Sequence, residues 1–206
     1  MQIDLASFFS SVRASLFGGR LTTKQVAGME AIISAFVLYR EKQQRGGADV
    51  RWLAYCLGTA FLETAQTMQP IVERGGRSYF FRMYDPGSPL PERAALARRT
   101  GALPGDGEIF YGRGYVQLTW RENYVKASAA LGMDLVANPD EALQPGTAAA
   151  IMLLGMDRGM FTGKKLADYF NATTTDWKNA RRIINGLDRA DDVASYARNF
   201  MSALEE

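Results

Sequence analysis

Hydrophobic residues recur with a helical period along nearly the whole chain, and this limits the fold more than any other feature. Phe8, Phe9, Val12 and Leu16 mark a first amphipathic helix, ended by Gly18-Gly19. Thr22 or Thr23 can cap a second, whose stripe is Val26, Met29, Ile32, Ile33, Phe36 and Val37, running towards Gly46-Gly47. A third helix is predicted from Asp49 to Thr67. Periodicity resumes at about 119–131, 146–160, 176–185 and 190–204. The last of these carries Val193, Tyr196, Ala197, Phe200 and Leu204 on one face. Between Arg74 and Gly107 the chain gathers Gly, Pro, Arg and Asp without a sustained period, and reads as a long irregular region over a site. Strand character is confined to about 109–118. The reading is mainly α, with at most a small β element. At 206 residues it is one domain, or two lobes around a cleft.

Composition removes several kinds of chemistry. The chain has no histidine, which excludes Ser-His-Asp and Cys-His nucleophilic schemes and the usual histidine metal ligands. A single cysteine, Cys56, can form neither an internal disulfide nor a zinc cluster. No metal and no cofactor is implied. The net charge of +2, without a long basic run, does not suggest nucleic acid as a partner. Asp4 stands where a secretory leader would be positive, Arg13 interrupts the apolar stretch, and no run of 18 apolar residues offers a membrane span. Synthesis in the cytoplasm is the expectation.

The stretch from Asp106 to Thr119, continuing to Asn123-Tyr124, points to a ligand. Three glycines (Gly107, Gly112, Gly114) interleave an aromatic and apolar run, and Gln117, Thr119 and Asn123 follow at short spacing. Glycines there permit a tight bend or close approach of backbone to ligand. Amide and hydroxyl side chains suit hydrogen bonds to a neutral, hydroxyl-rich molecule such as a sugar. A plainer reading is a strand and turn leading into a helix capped by Thr119, with Glu122 completing a capping box.

Two carboxyls precede this run. Trp52, Cys56, Thr59, Ala60 and Glu63 share one face of the third helix, so Glu63 continues its inward stripe. A carboxyl buried among apolar groups holds its proton more tightly, as a general acid at neutral pH requires. The bland alternative is that the helix rolls at its end and leaves Glu63 solvated. Glu73 follows Pro70, which should stop the helix and place Glu73 on a separate segment. It is a candidate base, or simply an ion-pair partner of Arg74, Arg77 or Arg82. Arg181-Arg182 and Lys164-Lys165 read as solvated faces or wall contacts.

As a set, Phe61-Leu62-Glu63-Thr64-Ala65, Tyr111-Gly112-Arg113-Gly114-Tyr115-Val116-Gln117-Leu118-Thr119, Asn123-Tyr124, Asn138-Pro139 and Ile184-Asn185-Gly186 resemble glycoside hydrolase family 19. The likeness is greatest to its phage and prophage endolysins and covers about residues 50–200. The resemblance implies a mostly helical, two-lobed, lysozyme-like fold with a substrate cleft. One catalytic domain would span 1–206, with N-terminal helices 1–46 packed on a core of 47–206. It implies hydrolysis, with inversion, of β-1,4 links in peptidoglycan glycan strands or in chitin. Glu63 matches the family's acid, Glu73 its base, and Thr119 the hydroxyl that helps hold the attacking water. Gln117, Asn123 and Asn185 match sugar-binding or site-ordering residues, and Tyr111 and Arg113 lie in the same run. Leu62 stands where the family commonly has histidine, which bears on the orientation of Glu63. Glu108, Asp85 and Glu92, in that order, are substitutes for the base. A phage protein of this kind would work as a monomer on the wall, after a holin or another route released it from the cytoplasm. A chitinase, a non-catalytic glycan-binding protein on the same scaffold, and a purely structural helical protein are the alternatives.

Overall fold

The computed structural model describes residues 3–42 and 49–206. Gly46-Gly47, expected to end the second helix, lies outside the described residues. The chain forms two compact units, one of 1–69 with 152–206 and the other of 70–151.

The first unit contains α1 (Leu5–Ser15), α2 (Thr23–Lys42), α3 (Val50–Glu63), α8 (Leu166–Tyr169), a 3-10 turn over Asn179–Ile183, and α9 (Ala190–Leu204). Asp4 caps α1 through the N–H groups of Ala6 and Ser7. Thr22 caps α2: its hydroxyl accepts from the Gln25 N–H while the Gln25 side chain accepts from the Thr22 N–H, a reciprocal box. Every residue from Leu53 to Phe61 is buried, which makes α3 the axis of this unit. Its partner is α9. A Cβ built on Gly58 would lie 2.7 Å from the backbone nitrogen of Ala197, so only glycine allows the helices to approach this closely. Phe61 meets Tyr196 edge-on at 4.7 Å and Phe200 at 6.0 Å.

α3 stops at Glu63, four residues before the predicted end at Thr67, and without a glycine. The buried Thr64 hydroxyl donates to the Ala60 carbonyl at 2.7 Å and accepts from the Met68 N–H at 3.0 Å. Ala65, Gln66 and Met68 then take positive φ angles of 48°, 67° and 54°. A side chain satisfies the helix end that Pro70 was expected to make. The predicted helix over 176–185 is instead the 3-10 turn, and Asp176 ahead of it accepts from the backbone N–H and the side-chain amide of Asn179.

The second unit contains β1 (Ile71–Val72), α4 (Arg77–Tyr84), α5 (Pro91–Arg99), a 3-10 turn over Asp106–Glu108, β2 (Arg113–Gly114), α6 (Arg121–Leu131) and a 3-10 turn over Pro139–Leu143. The last helix to begin there, α7 (Pro145–Arg158), crosses the boundary at 151–152. β1 and β2 pair antiparallel, Ile71 opposite Gly114 and Val72 opposite Arg113. The region from 74 to 107, expected to be irregular, holds two short helices. They left no apolar stripe because α4 fully buries only Phe80 and α5 only Ala94 and Ala97. The predicted capping box at Thr119 and Glu122 does not form. Trp120, at φ 71°, precedes α6 without a side-chain cap, and Glu122 pairs with Lys126 one turn on. The fold is mainly α-helical with one minimal strand pair among the described residues, as the helical period predicted. No described helix is long and apolar enough to cross a membrane.

Candidate functional site

In the first unit Glu63 closes α3. Its Oε1 accepts from Nη1 of Arg181 at 2.6 Å, and its side chain remains 23% exposed. The expected apolar setting is therefore absent: stopping the helix at Glu63 leaves the carboxyl half-buried and facing a cation. Arg181, expected at a solvated face, is 4% exposed, and its Nε donates to the Asp188 carbonyl at 3.0 Å. Arg182 beside it is exposed. Asn185 sits on the exposed loop after the turn. Its N–H donates to the Arg181 carbonyl at 3.0 Å, and its Oδ1 accepts from the Gly186 N–H at 2.8 Å. Sequence reading missed Arg181, although in a chain without histidine only arginine or lysine can pair with a recessed glutamate.

In the second unit Glu73 directly follows β1. Its N–H donates to the Gly112 carbonyl at 2.8 Å and extends the strand pair by one bond. The side chain is half-buried among donors. The Tyr84 phenol lies 2.8 Å from each carboxylate oxygen, the Tyr79 phenol donates to Oε1 at 3.2 Å, and the Gly112 N–H donates to Oε2 at 2.9 Å. Burial, and then the bond to and charge of Glu73, push the Tyr84 phenol well above the ordinary tyrosine range. Tyr79 is raised too, by burial first, then by the charge of Glu73 and the bond to it. Among the described residues Glu73 makes no ion pair; Arg77 pairs with Glu108 instead. Both tyrosines were missed because α4 itself was missed.

Gly112 connects Glu73 to the polar run. A Cβ there would lie 2.5 Å from Oε1 of Gln117 and 3.0 Å from Oε2 of Glu73, so the glycine lets both side chains close over the backbone. Gln117, at φ 53°, donates through Nε2 to the Ile71 carbonyl at 3.2 Å. Asn123 donates through Nδ2 to the Thr119 carbonyl at 2.9 Å, and both side chains stay partly exposed.

Tyr111 and Arg113 hold the loop from within. The Tyr111 ring lies between Phe80, stacked at 4.1 Å, and the Arg113 guanidinium, 3.9 Å from its centroid. Arg113 is 5% exposed and donates to Asp140 at 2.8 Å, to the Ile109 carbonyl at 2.8 Å and to the Tyr124 hydroxyl at 3.0 Å. Neither ring face of Tyr111 nor the buried Arg113 is placed to meet a sugar. Of the substitute bases, Glu108 is paired with Arg77, and the buried Asp85 accepts from the N–H groups of Gly87 and Gly105. Glu92 is exposed on α5.

Residues 92–152 match the family model described as Glyco_hydro_19, chitinase class I. Over 34 residues the chain is 53% identical to inactive chitinase-like protein 1 of Hevea brasiliensis, covering 16% of this chain and 11% of that one. Over 31 residues it is 61% identical to acidic endochitinase Q of Nicotiana tabacum, covering 15% of this chain and 12% of that one. The match thus spans roughly a tenth of the length of these curated relatives. The solved structure of a bacterial family 19 chitinase superposes with a TM-score of 0.57 at 20% identity, over 96% of this chain and 94% of that one. The sequence match over 92–152 is thus to glycoside hydrolase family 19, the family that the motifs resemble, and the superposition shows a fold shared with a family 19 chitinase.

Proposed function

We propose that the chain is a glycoside hydrolase that cuts β-1,4 links in the glycan strands of peptidoglycan by single displacement with inversion. The observation that carries this reading is the setting of Glu73. Three donors converge on it and no described cation pairs with it, which leaves a side chain that only accepts. A water to be activated needs such an acceptor. Glu73 takes its proton, Glu63 protonates the leaving oxygen, and the water attacks the anomeric carbon from the opposite face. Thr119 helps hold that water, while Gln117, Asn123 and Asn185 bind sugar or order the site. Inversion requires the two carboxyl groups about 6.5–9.5 Å apart during reaction, against about 5–5.5 Å for a retaining nucleophile.

The wall glycan is favoured by the likeness of the motif set to the phage branch. The slight excess of positive charge adds a small attraction to an anionic wall. In this reading the protein reaches the wall by a holin or another route of release. Chitin is the second reading, supported by the names of the matched relatives. Leu62, where the family commonly has histidine, together with the match to a chitinase-like protein named inactive, supports a third, non-catalytic glycan binding.

Incubation with purified peptidoglycan and with chitin oligomers, followed by mass analysis of the released ends, separates the three. New reducing ends from peptidoglycan, appearing first as the α-anomer by NMR, are expected. Ends from chitin alone would move the substrate to chitin, and binding without new ends would make the protein a glycan binder. A first-formed β-anomer, or cleavage of peptide stems alone, removes the proposed reaction.

A further inference from the structure

The donors around Glu73 come from two sources of different stiffness. Gly112 contributes a backbone N–H from the strand-pair segment, whereas Tyr79 and Tyr84 are both carried by the short helix α4. That helix is fastened to the rest of its unit by Phe80, stacked on Tyr111, and by the Tyr84 ring, which meets Trp120 edge-on at 5.0 Å. Tyr84 is half-buried while Tyr79 is 37% exposed, so the two phenols are not equivalent.

We propose that Tyr84 is the positioning residue for Glu73, with Tyr79 a weaker second, and that it acts through the carboxylate without touching substrate. This rests on the reading of Glu73 as the base. A carboxylate at the start of a loop can rotate about its last bond, and only some rotations aim a lone pair at a water. Tyr84 has one proton and two oxygens at equal distance, 2.8 Å each. It can therefore bond whichever oxygen is not engaged with the water, and hold the carboxylate plane as the proton is taken. Gly112 fixes Oε2 from the other side. Losing the Tyr84 hydroxyl leaves the base in place but free to turn, which lowers turnover and spares substrate binding.

The test compares Tyr84→Phe, Tyr79→Phe, Glu73→Gln and the double variant Glu73→Gln/Tyr84→Phe on soluble glycan fragments, with folding checked by circular dichroism. Phenylalanine keeps the ring against Trp120. Tyr84→Phe is expected to lower kcat about ten- to a hundredfold, the range for losing a hydrogen bond to a charged group, with KM within about twofold. Tyr79→Phe should lower kcat less, and the double variant should be no slower than Glu73→Gln alone. Wild-type kcat in a folded Tyr84→Phe protein overturns the proposal, as does an extra loss in the double variant. Should Tyr84→Phe not fold, an unchanged kcat in Tyr79→Phe overturns the phenol clamp. A fully active Glu73→Gln removes the reading of Glu73 as base, a separate failure.

Discussion

At the residue scale the two carboxyls differ in what holds them: a cation for Glu63, neutral donors for Glu73. As the proposed proton donor, Glu63 replaced by glutamine should leave the fold intact and lower turnover by about 10²–10⁴-fold or more. Normal clearance of wall material by folded Glu63→Gln would remove the assignment. Arg181→Met should act differently. It strands a half-buried carboxylate and the Asp188 carbonyl together, at a cost of about 2–4 kcal/mol by denaturant titration. Gly112→Ala tests the other carboxyl. Its new methyl would displace the flexible end of Gln117 and press on Glu73, so activity should fall much further than melting temperature. A parallel fall of both would make Gly112 a mere packing position. Glu63 and Glu73 stood out in the sequence as candidates because spacing and motif mark them. Their partners were not, because Arg181 stands 118 positions from Glu63 and nothing local joins the two.

At the element scale, long helices with large apolar faces were legible, and short ones with small faces were not. α3, α9 and the start of α2 follow the period, whereas α4 and α5 bury one aromatic and two alanines and left no pattern. The end of α3 was misplaced for a related reason. A threonine hydroxyl stops it, and threonine carries no stop signal as glycine or proline does. Thr64→Val should therefore cost about 1–3 kcal/mol, chiefly by leaving the buried Met68 N–H without its acceptor. Thermal melts would show it, and an unchanged melting temperature would mean that another group ends the helix. Gly58→Ala should be comparably costly, because α9 must move to admit the methyl.

At the scale of the whole molecule, buried acidic hydrogens set an alkaline limit. Burial pushes the Cys56 thiol from 9.0 up to about 12. Below pH 9 folded and unfolded chains both keep that proton, and its contribution is complete; from there to about 12 only the unfolded chain ionises, so stability falls as pH rises. The Tyr55, Tyr84, Tyr115 and Tyr124 phenols are raised above 10.0, mainly by burial, and add losses of the same sign above pH 10. The melting temperature should drop clearly between about pH 9 and pH 11, and an unchanged value there would contradict the burial of these groups. The first unit is also discontinuous, built from residues 1–69 and 152–206, which flank the second unit in sequence. On a ribosome, residues 70–151 emerge as one uninterrupted stretch, while Glu63 waits for Arg181 to be synthesised. A nascent chain stopped before that point holds the proposed acid without its counter-ion and α3 without α9. The order of synthesis thus delays completion of the proposed acid site until most of the chain has been translated.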